Sequence, residues 1–312
     1  MSHAARPGAP AQLSAPHLLL ALAVVFVWGT NFVVIKLALA HLPPLLLATL
    51  RFALAALPLV FVLPRPRASW ANLALYGMAI GVGQFGLMFF AMTRHISPGL
   101  ASLVAQAQVF FTIGLAMLAT GERVRPYQLA ATLIAAAGIG IIAARADGHT
   151  TALGVLLVLG SALFWALGNT ASRAAGRVNV LAYVAWSSLF AVLPLLALSL
   201  ALEGWPRIAA GLREAGALTW AAVLWQSIGN TIFGYGAWAW MLARYPAATV
   251  SPFSLLVPVF GMAAAALALG EPMPGWKLTA AALVLGGLAL NVLWPRWRKR
   301  LEQTLADRHR PR

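Results

Sequence analysis

Residues 18–40 read LLLALAVVFVWGTNFVVIKLALA, and only Thr30, Asn31 and Lys36 are hydrogen-bonding or charged aliphatic positions in that run. A helix rises 1.5 Å per residue, so about 20 such residues cross the hydrocarbon core of a bilayer. In lipid every backbone N–H and C=O needs a partner within the segment, which leaves the helix or the closed barrel. The run does not alternate polar with apolar, and a barrel strand would. It is also too long for the apolar part of a secretion signal and lacks a small-residue cleavage site, so the polar, Pro-rich Met1–Pro16 before it does not read as a cleaved leader. Residues 18–40 are a membrane-spanning helix.

Blocks of the same kind follow along the chain. With the first they run over 18–40, 43–63, 70–92, 98–119, 127–144, 152–174, 180–202, 217–241, 248–269 and 275–294. The breaks carry turn chemistry: Pro43-Pro44, Pro64-Arg65-Pro66, Ser97-Pro98-Gly99, Gly121-Glu122-Arg123, Asp147-Gly148, Tyr245-Pro246 and Glu271-Pro272. Composition agrees, with 61% hydrophobic and 9% charged residues where a soluble domain carries about 25% charged. Mean hydropathy is +0.83. The expected fold is an all-α membrane protein of ten transmembrane helices.

The basic residues orient it. The N-terminus and the loops after the even-numbered spans hold 15 of the 22 Lys and Arg, including Arg65, Arg67, Arg173, Arg177 and the tail around Arg296–Arg300. Positive residues concentrate on the cytoplasmic side, so both termini are expected inside. The basic tail is explained by this topology signal and by anionic lipid at the surface, with no nucleic acid as partner.

An internal repeat is legible. Gly121, Glu122, Leu129, Ala131 and Gly138 recur at a constant offset of 149 as Gly270, Glu271, Leu278, Ala280 and Gly287. Trp28 and Lys36 recur at an offset of 137 as Trp165 and Arg173. The first five spans therefore match the second five. The expected layout is a segment 1–17, a first five-helix repeat over 18–144, a second over 152–294, and a basic tail 295–312. An odd number of spans per repeat turns the second repeat upside down, an arrangement that in transporters places the substrate site near the midplane between the repeats.

Polar residues inside the spans are the candidate site: Asn31, Gln84, Gln106, Gln108, Asn169, Asn230 and Ser254, with Trp28 and Tyr235 as aromatic neighbours. An unsatisfied amide in an apolar setting costs roughly 1–3 kcal/mol, so these side chains face one another or a wet cavity. Two readings stand for any one of them, interhelical bonding that holds the bundle and cavity lining. Lys36 and Glu271 are expected near one mouth, with their counterparts Arg173 and Glu122 near the other. Either they pair as gates or the cations snorkel and the glutamates cap helix ends. Spans five and ten, rich in Ala and Gly, read as packing elements and a dimer surface; the assembly is expected to be a monomer or weak homodimer.

What is missing narrows the chemistry. There is no cysteine, and all seven acidic residues (Glu122, Asp147, Glu203, Glu214, Glu271, Glu302 and Asp307) fall at helix ends, loops or the tail. No phosphate loop or metal-ligand spacing appears. No catalytic residues, no metal and no cofactor are expected, and an enzyme is disfavoured.

These residues also carry a resemblance. Val27-Trp28-Gly29-Thr30-Asn31-Phe32 followed by Pro43-Pro44 and Arg51-Phe52 resembles the first hairpin of EamA-type proteins of the drug/metabolite transporter superfamily. Gly121-Glu122 and Gly270-Glu271 resemble that family's marks after its fourth and ninth helices. Pro98–Val104, Gln106–Thr112 and Ser254–Val259 are similar to its amino-acid-exporting members. The resemblance covers about 18–297. It implies a multi-pass bacterial inner-membrane carrier that exports small amino acids such as cysteine and O-acetylserine through a central cavity. Aromatic amino acids, other metabolites or drugs are the alternatives within the family.

Overall fold

The computed structural model describes residues 13–120, 125–145, 150–245 and 247–308, and the described residues are helical, with short turns between helices. The helices are α1 (Ala15–Ala38), α2 (Pro44–Val60), α3 (Trp70–Arg94), α4 (98–120), α5 (Pro126–Ala144), α6 (Ala152–Ala174), α7 (Val180–Glu203), α8 (Trp205–Glu214), α9 (217–244), α10 (247–269) and α11 (Gly275–Arg308). Among the described residues eight helices are long and apolar enough to cross a membrane, and α2 is apolar but shorter, at 17 residues. The protein is a multi-pass membrane protein.

Local sequence sets the helix ends. Proline sits in the first turn of α1, α2, α4, α5 and α8, where its fixed φ suits the helix and its missing N–H is not needed. Pro16 is why α1 begins at Ala15, ahead of the expected residue 18. Gly270 closes α10 with φ of 65°, the left-handed cap that favours glycine.

Two departures from the expected spans have physical causes. Helix α8 was not expected, because ten residues with Arg207, Arg213 and Glu214 form no membrane-length apolar run. Its helical character lies in its two faces: Ile208 is buried and Gly211 meets the backbone of His41 at the α1–α2 turn, while Trp205 is exposed. Helix α11 continues to Arg308 instead of stopping at 294, with Pro295 inside it.

The packing exchanges helices between the two ends of the chain. Helix α1 lies against α9 and α10, α6 lies against α3 and α4, α2 packs on α7, and α5 on α11. Contacts across the α5–α11 crossing are reciprocal. A Cβ on Gly138 would come within 2.8 Å of the Ala280 carbonyl, and one on Gly287 within 2.5 Å of the Ala131 carbonyl. Ala131/Ala280 and Gly138/Gly287 are two of the pairs in the sequence repeat, so each glycine meets the other's partner, as in an isologous contact.

The irregular turns are paired as well. Helix α3 is π-helical over Met78–Gly86 and α9 over Trp225–Tyr235. Helices α4 and α10 carry 3-10 turns at Ala105–Ala107 and Ser251–Leu256. Such turns frequently accompany functional sites because they displace side chains from the regular helical register.

Candidate functional site

The most unusual side chain of the interior is one the sequence reading did not select. Arg51 lies midway along α2 and is 1% exposed. Placing an arginine at the centre of a span costs about 2.5–3.5 kcal/mol by insertion measurements, so its surroundings must be arranged for it. Helix α9 supplies them. Arg51 Nη1 donates to Gln226 Oε1 at 2.6 Å, and Nη2 points to Thr231 Oγ1 at 3.4 Å. With the Asn230 amide oxygen turned toward the guanidinium, as the network requires, it accepts from Nη2 at 2.8 Å and from Nη1 at 3.2 Å. Phe85 of α3 places its ring 3.7 Å from the guanidinium carbon, a cation–π contact.

The π-helical stretch of α9 explains how one helix offers so many groups. Gln226, Asn230 and Thr231 fall on one side there, and the Thr231 hydroxyl bonds back to the Gln226 carbonyl five residues earlier. Ser227 donates to the Arg51 carbonyl, tying the two backbones together. Helix α1 joins through Asn31, which exchanges two hydrogen bonds with Gln226, at 2.8 and 3.3 Å. Trp28 Nε1 donates to the Asn230 carbonyl at 3.3 Å and stacks at a tilt against Tyr235 and Trp238. This network of α1, α2 and α9 contains no carboxylate. The nearest one along α2 is Glu203, about 9 Å away at 1.5 Å per residue. It already accepts from the N–H groups of Leu45 and Leu46 and from Ser199, capping the start of α2.

A cavity adjoins the guanidinium. Arg51, Phe52, Tyr76, Ile80, Phe85, Val184, Ser188, Thr231 and Tyr235 line it, and it has about 10 Å³ of room for a water's centre. That is about one water, so the walls must part to admit a larger solute.

The sequence-selected residues divide into groups. Asn31, Asn230, Trp28 and Tyr235 meet at the Arg51 network, in contact through α1 and α9. Gln108 and Asn169 form a separate partly buried network with Thr112, in which Asn169 Nδ2 donates to Gln108 Oε1 and to Thr112 Oγ1, both at 3.2 Å. Gln84 is buried in the π stretch of α3 with its Oε1 unpartnered, and Gln106 is buried in the 3-10 turn of α4. Ser254 is half-buried in the 3-10 turn of α10. The single polar cluster expected from their shared depth is therefore two networks and three separate residues. The reason is angular: depth along a span says nothing of which face a residue occupies, and the π and 3-10 turns shift that face.

The expected Lys36–Glu271 pairing is corrected. Lys36 Nζ donates to the carbonyls of Met92 and Thr93 at 2.9 and 3.0 Å, satisfying the last turn of α3. Glu271 pairs with Lys277 at 2.9 Å and accepts from the Ser97 hydroxyl and from the Gly99 N–H at the start of α4. A lysine six residues away reaches Glu271 through the α10–α11 turn, whereas Lys36 has nearer acceptors. Arg173 is exposed at the end of α6, and Glu122 lies outside the described residues. Arg51 was missed although it carried a signal: an arginine in the middle of an apolar span is a site candidate by itself.

Comparison with known proteins agrees with this architecture. The EamA-like transporter family matches the chain over residues 15–144 and again over 152–293. The chain belongs to that family. Among its relatives, the probable amino-acid metabolite efflux pump of Salmonella typhimurium is 43% identical over 286 residues, covering 90% of this chain and 96% of that protein. The protein of the same description from Escherichia coli K12 is 41% identical with the same coverage. The probable terminal-alkyne amino-acid exporter of Streptantibioticus cattleyicolor is 28% identical over 279 residues, with 85% of this chain and 90% of that protein covered. A solved crystal structure with a TM-score of 0.61 and 22% identity covers 93% of this chain and 100% of its own, which shows the same fold. The protein is a multi-pass transporter of the bacterial inner membrane.

Proposed function

We propose that this protein exports small amino acids or related metabolites, of the cysteine and O-acetylserine kind, by alternating access. Ten spans form two inverted five-helix repeats, 18–144 and 152–294, with both termini in the cytoplasm and the basic tail 295–312 after them. The exchange of α1 and α6 between the two halves supports this arrangement, as do the reciprocal α5–α11 contacts and the matched π and 3-10 turns. Helices related by such symmetry can repack as mirror versions of one another, which opens opposite mouths around a fixed centre.

The observation that carries the reading is Arg51, buried mid-span without a carboxylate and held jointly by α2 of the first half and α9 of the second. A group bridging both halves at that depth senses their relative movement and the solute together. Asn31, Asn230, Trp28 and Tyr235 then belong to the substrate site, with Gln84, Gln106, Gln108, Asn169 and Ser254 bordering the path. Lys36, Glu271, Arg173 and Glu122 mark the two mouths. Phe52, Tyr76, Phe85 and Tyr235 around the cavity favour an aromatic amino acid as a second reading.

Counterflow in proteoliposomes tests both. Vesicles preloaded with unlabelled solute are given traces of labelled cysteine, O-acetylserine or phenylalanine. A saturable transient overshoot of one label assigns the substrate; flux that rises linearly with concentration, without trans-stimulation, overturns the carrier reading.

A further inference from the structure

Resting on the export reading above, we propose that Arg51 is the carboxylate anchor of the transport site, so that the protein accepts solutes with a free carboxylate and refuses the corresponding amides and amines.

The guanidinium has five N–H groups in a plane, and the structure accounts for them unequally. The end of the fork, Nη1 with Nη2, is taken by the Asn230 oxygen, and the outer N–H of Nη1 by Gln226. The other edge, Nε with Nη2, is open. Nε is buried and has no partner, and Nη2 reaches Thr231 only at 3.4 Å, beyond the usual range for such a bond. Arg51 and Thr231 both line the cavity. Two parallel N–H groups on one edge are the arrangement that a carboxylate grips in bidentate fashion.

Holding the bundle together accounts for only part of this. Structural bonding explains Gln226 and Asn230, which occupy the end of the fork. It does not explain an orphaned donor beside a cavity, nor a full positive charge whose network holds only neutral acceptors. A solute carboxylate supplies both the missing acceptor and the missing charge. The cavity lining, moreover, contains no aspartate or glutamate. A substrate ammonium finds no anion there and stands near a like charge, so the anchor makes the carboxylate the required group and leaves the amino group tolerant of acylation.

The experiment measures inhibition of counterflow by the full-length protein, using cysteine and phenylalanine as labelled solutes. The competitors are each acid, its N-acetyl derivative, its carboxamide and its decarboxylated amine, with chloride as an inorganic anion at constant ionic strength. Carboxamides and amines are expected to compete about 10- to 100-fold more weakly than the acids, the worth of a charge-assisted bond, and N-acetyl acids within about threefold. Gln226→Glu adds a second arm by placing a built-in carboxylate where Gln226 now accepts from Arg51. It is expected to remain folded by thermal unfolding and to lose at least 10-fold in counterflow, because the anchor is then neutralised from within. Amides competing as well as acids, chloride competing as well as acids, or Gln226→Glu transporting like the unaltered protein would each overturn the assignment. Absence of counterflow with either amino acid in the unaltered protein refutes the export reading instead. The acid–amide comparison needs no variant, so misfolding of Gln226→Glu leaves the test intact.

Discussion

Glu271→Ala is the perturbation whose cost the structure defines most closely. The carboxylate is 7% exposed and its partner Lys277 is 3% exposed, 2.9 Å away. Glu271 also receives the Ser97 hydroxyl and the Gly99 N–H, so one side chain joins the α10–α11 turn to the first turn of α4. Truncation strands a buried ammonium and leaves the Ser97 and Gly99 donors without their acceptor. Removing one partner of a buried pair costs about 3–5 kcal/mol. Lys277→Met on top of it removes the stranded charge and should recover roughly half, so the double-mutant cycle should show coupling of about 2 kcal/mol. The matching cycle of Glu271→Ala with Lys36→Met should show less than about 0.5 kcal/mol, since Lys36 is engaged by Met92 and Thr93. The assay is equilibrium unfolding of the purified protein by SDS titration in mixed micelles, followed by tryptophan fluorescence. Additive behaviour of Glu271 with Lys277, or strong coupling of Glu271 with Lys36, would refute the assignment of partners.

Gly287→Val and Gly138→Val should each destabilise by about 1–3 kcal/mol, because the new Cβ meets a backbone carbonyl that cannot turn aside. Near-equal losses measured by the same titration are the expected sign of the reciprocal crossing, and a loss at only one of the two contradicts it. Gln108→Leu, which removes the acceptor of Asn169, should cost about 0.6–1.7 kcal/mol, the range for interhelical bonds in membranes. Counterflow per folded molecule should fall with it if this network borders the path, and stay level if it only holds α4 to α6. An imposed pH gradient alone should not drive uphill accumulation in vesicles, because the Arg51 network holds no carboxylate or histidine to carry a proton; accumulation under that condition would show a coupling group elsewhere.

Much of this protein is legible in local sequence. A run such as 18–40 cannot be anything but a span, because backbone satisfaction in lipid is a local requirement, and prolines such as Pro16, Pro98 and Pro126 mark helix starts wherever they stand. The repeat is likewise local, a matter of Gly138 matching Gly287 by offset. The amphipathic α8 escaped because its signal is a face and not a run, and the continuation of α11 past 294 because the length of a helix beyond the bilayer leaves no apolar trace.

The site itself was decided in three dimensions. Arg51 and Gln226 are 175 residues apart, and Asn31 and Gln226 are 195 apart. Nothing in either segment names the other. Polar residues at a common depth look like one cluster when read along the chain, yet the helices rotate them onto different faces. The π-helical turns of α3 and α9 change those faces again by inserting a residue into the turn. That is why Asn31 and Asn230 meet at Arg51 while Gln108 and Asn169 meet elsewhere, and why Glu271 chose Lys277 over Lys36. Sequence determined that polar groups had to be buried in the bilayer and had to find partners; helix rotation and crossing, which depend on contacts between distant segments, determined which partners they found.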